Sequence, residues 1–115
     1  MFIRVLKSKL HMARVTETNL EYEGSITLSR SLCESAGLLE GEMVLVANFE
    51  GGERFETYVI VTDREGVVGL NGPAAKLGKV GDRLIVMSYI LVTPEEAETI
   101  KPKIVKLDKD NNIIR

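Results

Sequence analysis

Residues 43–62 read MVLVANFEGGERFETYVIVT, and this stretch decides the fold class. Met43 to Asn48 and Glu53 to Thr62 are strand-length runs rich in Val, Ile and Thr, with Gly51-Gly52 between them. Two glycines accept the positive φ angles of a tight hairpin turn, so the pair predicts an antiparallel hairpin. The same pattern of short apolar runs divided by Gly, Asn and charged residues continues on both sides. It predicts further strands at Ile3 to Val15, Gly24 to Leu28, Val67 to Leu70, Arg83 to Val92 and Ile104 to Leu107. The expectation is a mainly β domain, and the spacing suggests a small barrel with short helices.

Two segments read as helical. Ser29 is placed to cap a turn through Leu32, Cys33 and Ala36 that stops at Gly37. Thr93-Pro94-Glu95-Glu96 offers a capping hydroxyl, a proline at the first helical position and a Glu three residues after the cap, predicting a helix to about Ile100. In the tail, Asp108 to Asn112 reads as a polar turn before Ile113 and Ile114.

The chain has 115 residues, 44% of them hydrophobic, which suits a single domain over residues 1–115. Lys and Arg number 15 against 17 Asp and Glu, a net charge of -2 that supplies no field for nucleic acid or an anionic membrane. Any positive site must be local. Cys33 is the only cysteine, so an intrachain disulfide is impossible and a reducing cytoplasm is the expected setting. The longest apolar run, Met43 to Ala47, is far short of the ~20 residues of a membrane span. With one histidine and one cysteine there is no HExxH, no phosphate loop, no dinucleotide fingerprint and no expected metal site. An enzyme of this composition needs an electrophile from elsewhere, either a bound cofactor without a signature or a modified piece of its own backbone.

Tyr22-Glu23-Gly24-Ser25 stands in informative company: Lys9-Leu10-His11 upstream, then Arg54-Phe55-Glu56-Thr57-Tyr58, Asn71-Gly72-Pro73-Ala74-Ala75 and Gly81-Asp82. Singly, Gly24-Ser25 is a turn, Lys9 and Arg54 are solvated strand charges, and Asn71-Gly72 is as good a hairpin turn as a pocket wall. In this order and at this spacing the set resembles the pyruvoyl-dependent aspartate 1-decarboxylase family, over Ile3 to about Pro94.

The resemblance implies a six-stranded double-psi β-barrel that assembles as a homotetramer, with sites between subunits. It implies self-cleavage between Gly24 and Ser25 into chains 1–24 and 25–115, with Ser25 becoming a covalent pyruvoyl group that decarboxylates L-aspartate to β-alanine for pantothenate synthesis. Gly24 suits the cut as a residue free to take backbone angles closed to others. Thr57 is expected to assist the cut by hydrogen bonding at the Gly24 carbonyl, and Tyr58 to donate the proton after decarboxylation. Lys9 and Arg54 are the expected carboxylate anchors, in either assignment. His11, Thr57, Asn71, Gly72, Pro73 and Ala74 complete the expected substrate pocket, although nothing gives His11 an evident partner.

Strand alternation puts Lys9 with His11, and Arg54 with Tyr58, on shared faces, and turns Thr57 the other way. For both Thr57 and Tyr58 to reach Ser25, the strand must bulge or the two must act on opposite sides of the cleavage loop. A rival reading, a non-enzymatic module akin to the swapped-hairpin transcription factors, predicts a basic DNA-facing stripe. Neither the net charge nor any dense Lys/Arg cluster supplies one.

Overall fold

The computed structural model describes residues 1–115. Eight strands form, β1 (Ile3–Arg14), β2 (Glu17–Asn19), β3 (Ser25–Ser29), β4 (Met43–Asn48), β5 (Arg54–Thr62), β6 (Val68–Asn71), β7 (Arg83–Val92) and β8 (Lys103–Lys106), with helices α1 (Arg30–Ala36) and α2 (Pro94–Ala97) and a 3-10 segment at Gly72–Lys76.

They hydrogen bond in the order β2-β6-β3-β5-β4-β7-β1-β8. Strand β2 continues β1 through Val15 and Thr16, whose amides donate to Asp82 O at 2.9 Å and Val68 O at 2.8 Å. The β1–β2 ribbon therefore touches β7 with its first part and β6 with its second, and the circuit returns to its start. Counted that way the ring has six strands, the small barrel expected, with β8 laid parallel to β1 outside it. Alternate residues point inward. Leu10, Ile26, Leu28, Val46, Leu70 and Leu84 are fully buried, each worth about 1.5–3 kcal/mol of transfer free energy. Helix α1 lays Leu32, Cys33 and Ala36 against this core.

Several local expectations need correction. Strand β2 was not foreseen, because Glu17-Thr18-Asn19 carries no apolar alternation and pairs only with Gly69 to Asn71, in a parallel ladder, beside the Glu17–Arg64 ion pair. Gly37 does end α1 in the left-handed region at φ 70, but Ser29 makes no capping hydrogen bond. Its hydroxyl is buried without a partner because Ser29 is also the last residue of β3, paired with Thr62. In the β4–β5 hairpin only Gly52 takes a positive φ, 84, and its amide returns to Asn48 O at 2.8 Å. The capping box at Thr93 forms with Glu96 in both directions, yet α2 stops at Ala97 instead of near Ile100. The tail turn forms as expected, with Asp108 Oδ1 accepting from the Asp110 and Asn112 amides at 2.9 Å each.

Candidate active site

Ser25 heads β3, a strand buried at every residue because β5 and β6 flank it on both sides. Antiparallel register sets Ser25 opposite Asn71. The Ser25 hydroxyl donates to Glu23 O at 2.9 Å and accepts from Asn71 Nδ2, also at 2.9 Å. Asn71 Nδ2 donates equally to Thr27 Oγ1 at 2.8 Å. The one amide nitrogen thus holds two hydroxyls of β3 in line. Thr27 is a member of this site that the sequence did not reveal, since the register that joins it to Asn71 spans 44 residues.

Asn71-Gly72 makes no hairpin. Asn71 ends β6 and Gly72 opens the 3-10 segment at φ 62. A Cβ on Gly72 would lie 2.8 Å from Gly24 Cα, Gly24 N and Tyr22 O, so the backbones touch there and only glycine fits. Gly24 itself does not take a positive φ, contrary to the freedom expected of it. An added Cβ there would stand 3.3 Å from Pro73 Cδ, a tight contact for which the proline must give by a few tenths of an ångström.

The β3–β5 ladder begins at Ile26 and Val59. Just before it the strands part, and Gly24, Phe55, Glu56, Thr57, Tyr58, Pro73, Ala74 and Leu77 line a cavity of about 330 Å³ in the fork. Phe55 and Thr57 are half-buried, while Arg54, Glu56 and Tyr58 are exposed, so alternation persists along β5. Pairing with β4 runs unbroken from Met43–Tyr58 to Ala47–Arg54, which excludes the bulge. Thr57 and Tyr58 border one cavity from opposite faces of their strand. No hydrogen bond joins the Thr57 hydroxyl to the Gly24 carbonyl; both simply border this cavity.

Lys9, His11 and Arg54 lie elsewhere. Residues paired across strands share a face, and two rows follow from the registers: Lys9–Met87–Leu45–Glu56 and His11–Ile85–Ala47–Arg54. All eight side chains point outward from the barrel. Each row crosses three strand steps of about 4.8 Å, so the backbones of His11 and Arg54 are separated by about 14 Å along the curved sheet, half way round the ring. None of the three borders the Gly24 cavity. His11 is half-buried, and its Nδ1 is buried without a hydrogen-bond partner.

The largest cavity, about 590 Å³, is mostly apolar and lies on this outer face, between Arg4, Met43, Glu56 and Tyr89 to Leu91. Its lining has no Ser, Thr or Cys, and the chemistry points to the smaller cavity bordered by Gly24, next to Ser25. No three His, Cys, Asp or Glu side chains converge as a metal-binding group.

The family model for aspartate decarboxylase matches residues 1–114. The chain is 55% identical to aspartate 1-decarboxylase of Caldicellulosiruptor saccharolyticus, over 100% of this chain and 91% of the relative. It is 53% identical to aspartate 1-decarboxylase of Campylobacter jejuni subsp. jejuni strain 81-176, over 96% of this chain and 88% of the relative. The enzyme of the same name from Acetivibrio thermocellus is 50% identical over 99% of this chain and 91% of its own length.

Proposed function

The chain belongs to the aspartate decarboxylase family, and from that membership we propose that it cuts itself between Gly24 and Ser25 and converts L-aspartate to β-alanine and carbon dioxide on a pyruvoyl group made from Ser25. One observation carries the reading: Ser25 is fully buried, its hydroxyl is held by Asn71, and the Gly24 before it borders the cavity shared by Thr57 and Tyr58.

In the cut, Ser25 Oγ gives up its proton and adds to the Gly24 carbonyl carbon, and when that tetrahedral centre collapses the C–N bond breaks and the nitrogen, protonated, becomes a free amine, converting amide to ester. The hydroxyl now points at Glu23 O, so it must turn first, and Asn71 gives it a fixed anchor to turn on. Elimination then breaks the Ser25 Cβ–Oγ bond, freeing Gly24 as a carboxylate and leaving a dehydroalanine that water hydrolyses with release of ammonia. The residues present fit the product: the cleft beside Gly24 accommodates a small amino acid, with a phenol and a hydroxyl on its walls. The pyruvoyl group supplies a ketone that takes up the electrons released when the α-carboxylate departs. Tyr58 holds the proton that the product carbon then needs.

Lys9 and Arg54 anchor the substrate carboxylates in this reading, and His11 belongs to the same pocket. Their distance from the Gly24 cavity within one chain supports an assembly, a homotetramer with sites between subunits, in which a neighbour completes each site. Asn71, Gly72, Pro73 and Ala74 form the wall behind the substrate. No helix is long and apolar enough to cross a membrane, and we place the reaction, a step toward pantothenate, in the cytoplasm.

Intact mass tests the reading. Active protein should show pieces of 24 and 91 residues (115 − 24 = 91), and Ser25→Ala should stay whole and inactive. A fully active sample showing only the uncut mass would overturn it.

A further inference from the structure

Strand β8 supplies a cation that the resemblance, ending near Pro94, did not reach. It pairs parallel to β1 from Ser8–Lys103 to His11–Lys106. These four residues of β1 are the ones with a strand on each side, β7 and β8. Leu10 and its partner Val105 are buried in the core, so the next pair, His11 and Lys106, points outward together. The backbone of Lys106 is fixed on both edges. The Leu107 amide donates to His11 O at 3.1 Å and the Ile114 amide donates to Lys106 O at 2.9 Å. The Lys106 side chain is exposed and in no ion pair; the four ion pairs of the chain are Lys7–Glu42, Arg30–Asp63, Arg64–Glu17 and Arg83–Glu50.

Lys9, His11 and Lys106 therefore form a basic edge on a chain of net charge -2. Their in-register neighbours on this face are Ile104, Met87 and Ile85, none of them acidic. His11 adds a buried ring nitrogen with no partner in the chain. We propose that Lys106 is an affinity-determining residue for the dicarboxylate substrate, acting through its charge from beside His11 without touching the reacting atoms. The inference rests on the reading of Lys9 and His11 as substrate anchors. An anion held by Lys9 lies within about one Debye length of a neighbouring lysine ammonium, where a unit charge still contributes at moderate salt.

The test uses full-length matured protein carrying Lys106→Gln, Lys106→Glu or Lys106→Arg, with Lys109→Gln as a control in the exposed tail turn. Extent of cleavage is read by mass, and kcat per pyruvoyl group and KM for L-aspartate at low salt and at about 1 M salt, where the Debye length is about 3 Å. Cleavage and kcat should match the parent. KM should rise about 3- to 10-fold in Lys106→Gln, the scale of one partly screened charge, and further in Lys106→Glu. Lys106→Arg should restore it, and the difference should collapse at high salt. Unchanged KM in Lys106→Gln, alongside a raised KM in Lys9→Ala, overturns this inference and leaves the proposed function standing. Unchanged KM in both overturns the assignment of the anchor face itself. A fall in kcat per pyruvoyl group at constant KM assigns Lys106 to a step after binding and also overturns the inference.

Discussion

Asn71 Nδ2 lies 2.9 Å from Ser25 Oγ and 2.8 Å from Thr27 Oγ1, bridging two hydroxyls along β3 from the neighbouring strand. Removing it takes the Thr27 hydroxyl's partner away and leaves Ser25 only its bond to Glu23 O. Asn71→Ala should destabilise the precursor by about 1–3 kcal/mol, the usual cost of unsatisfied buried polar groups. It should also slow the Gly24-Ser25 cut, because the nucleophile loses its anchor. Chemical denaturation in a Ser25→Ala background isolates the stability effect, and a mass time course follows the cut. Normal maturation of Asn71→Ala would remove Asn71 from the processing machinery.

Gly72 and Gly24 meet back to back, but unequally. Gly72→Ala forces a Cβ to 2.8 Å from three backbone atoms at a positive φ, whereas Gly24→Ala meets only Pro73 Cδ at 3.3 Å. In uncut Ser25→Ala protein the first should cost about 1–3 kcal/mol and the second less. Equal losses in urea melts would mean that the cleavage loop relaxes freely and that the glycine contact is unimportant.

Thr57 and Tyr58 border the same cavity from opposite faces of β5, so their roles should separate. Tyr58→Phe keeps the ring but loses the acidic hydroxyl. It should mature fully, carry a titratable carbonyl, and release β-alanine roughly 10²- to 10⁴-fold more slowly. Thr57→Val should remain mostly uncut, while whatever fraction matures turns over per pyruvoyl group like the parent. Normal turnover by Tyr58→Phe would move the proton donor elsewhere.

Lys9 and the Tyr58 cavity lie apart within one chain, which makes a complementation test possible. Lys9→Ala and Tyr58→Phe proteins should each be nearly inactive, yet their co-expression should recover about a quarter of parental activity through mixed sites drawing one intact side from each chain, by the statistics of random symmetric assembly. Recovery absent from co-purified mixed assemblies would mean that one chain supplies both groups to its own site.

Glu42 ties the start of β4 to two other strands. It accepts from Lys7 Nζ at 2.7 Å, from the Ser88 hydroxyl and from the Leu39 amide. Burial by itself would raise its pKa, but the bonds from Lys7, Ser88 and Leu39 outweigh it and hold the carboxyl below its ordinary 4.5. A depressed carboxyl stabilises the fold above its unfolded pKa and loses that contribution as pH falls through the folded value. Glu42→Gln should therefore be less stable by about 1–3 kcal/mol at neutral pH, with the gap narrowing below about pH 4.5. A gap independent of pH would assign the effect to packing.

By itself the sequence determined the fold class, because period-two alternation and Gly-divided runs are local properties that any short window of chain displays. The candidate site motifs Gly24-Ser25, Thr57-Tyr58 and Asn71 to Ala74 are contiguous, so the family resemblance could pick them out without a structure. The tertiary structure decided their arrangement. Closure of the ring through Val15 and Thr16, the meeting of Asn71 with Ser25 and Thr27, and the contact of Gly72 with Gly24 are all cross-strand relationships. Registers between strands dozens of residues apart leave no mark in either strand alone. The same holds for the distance of Lys9, His11 and Arg54 from the Gly24 cavity: alternation gave each side chain its face, but only the order of the strands put three strand steps between His11 and Arg54.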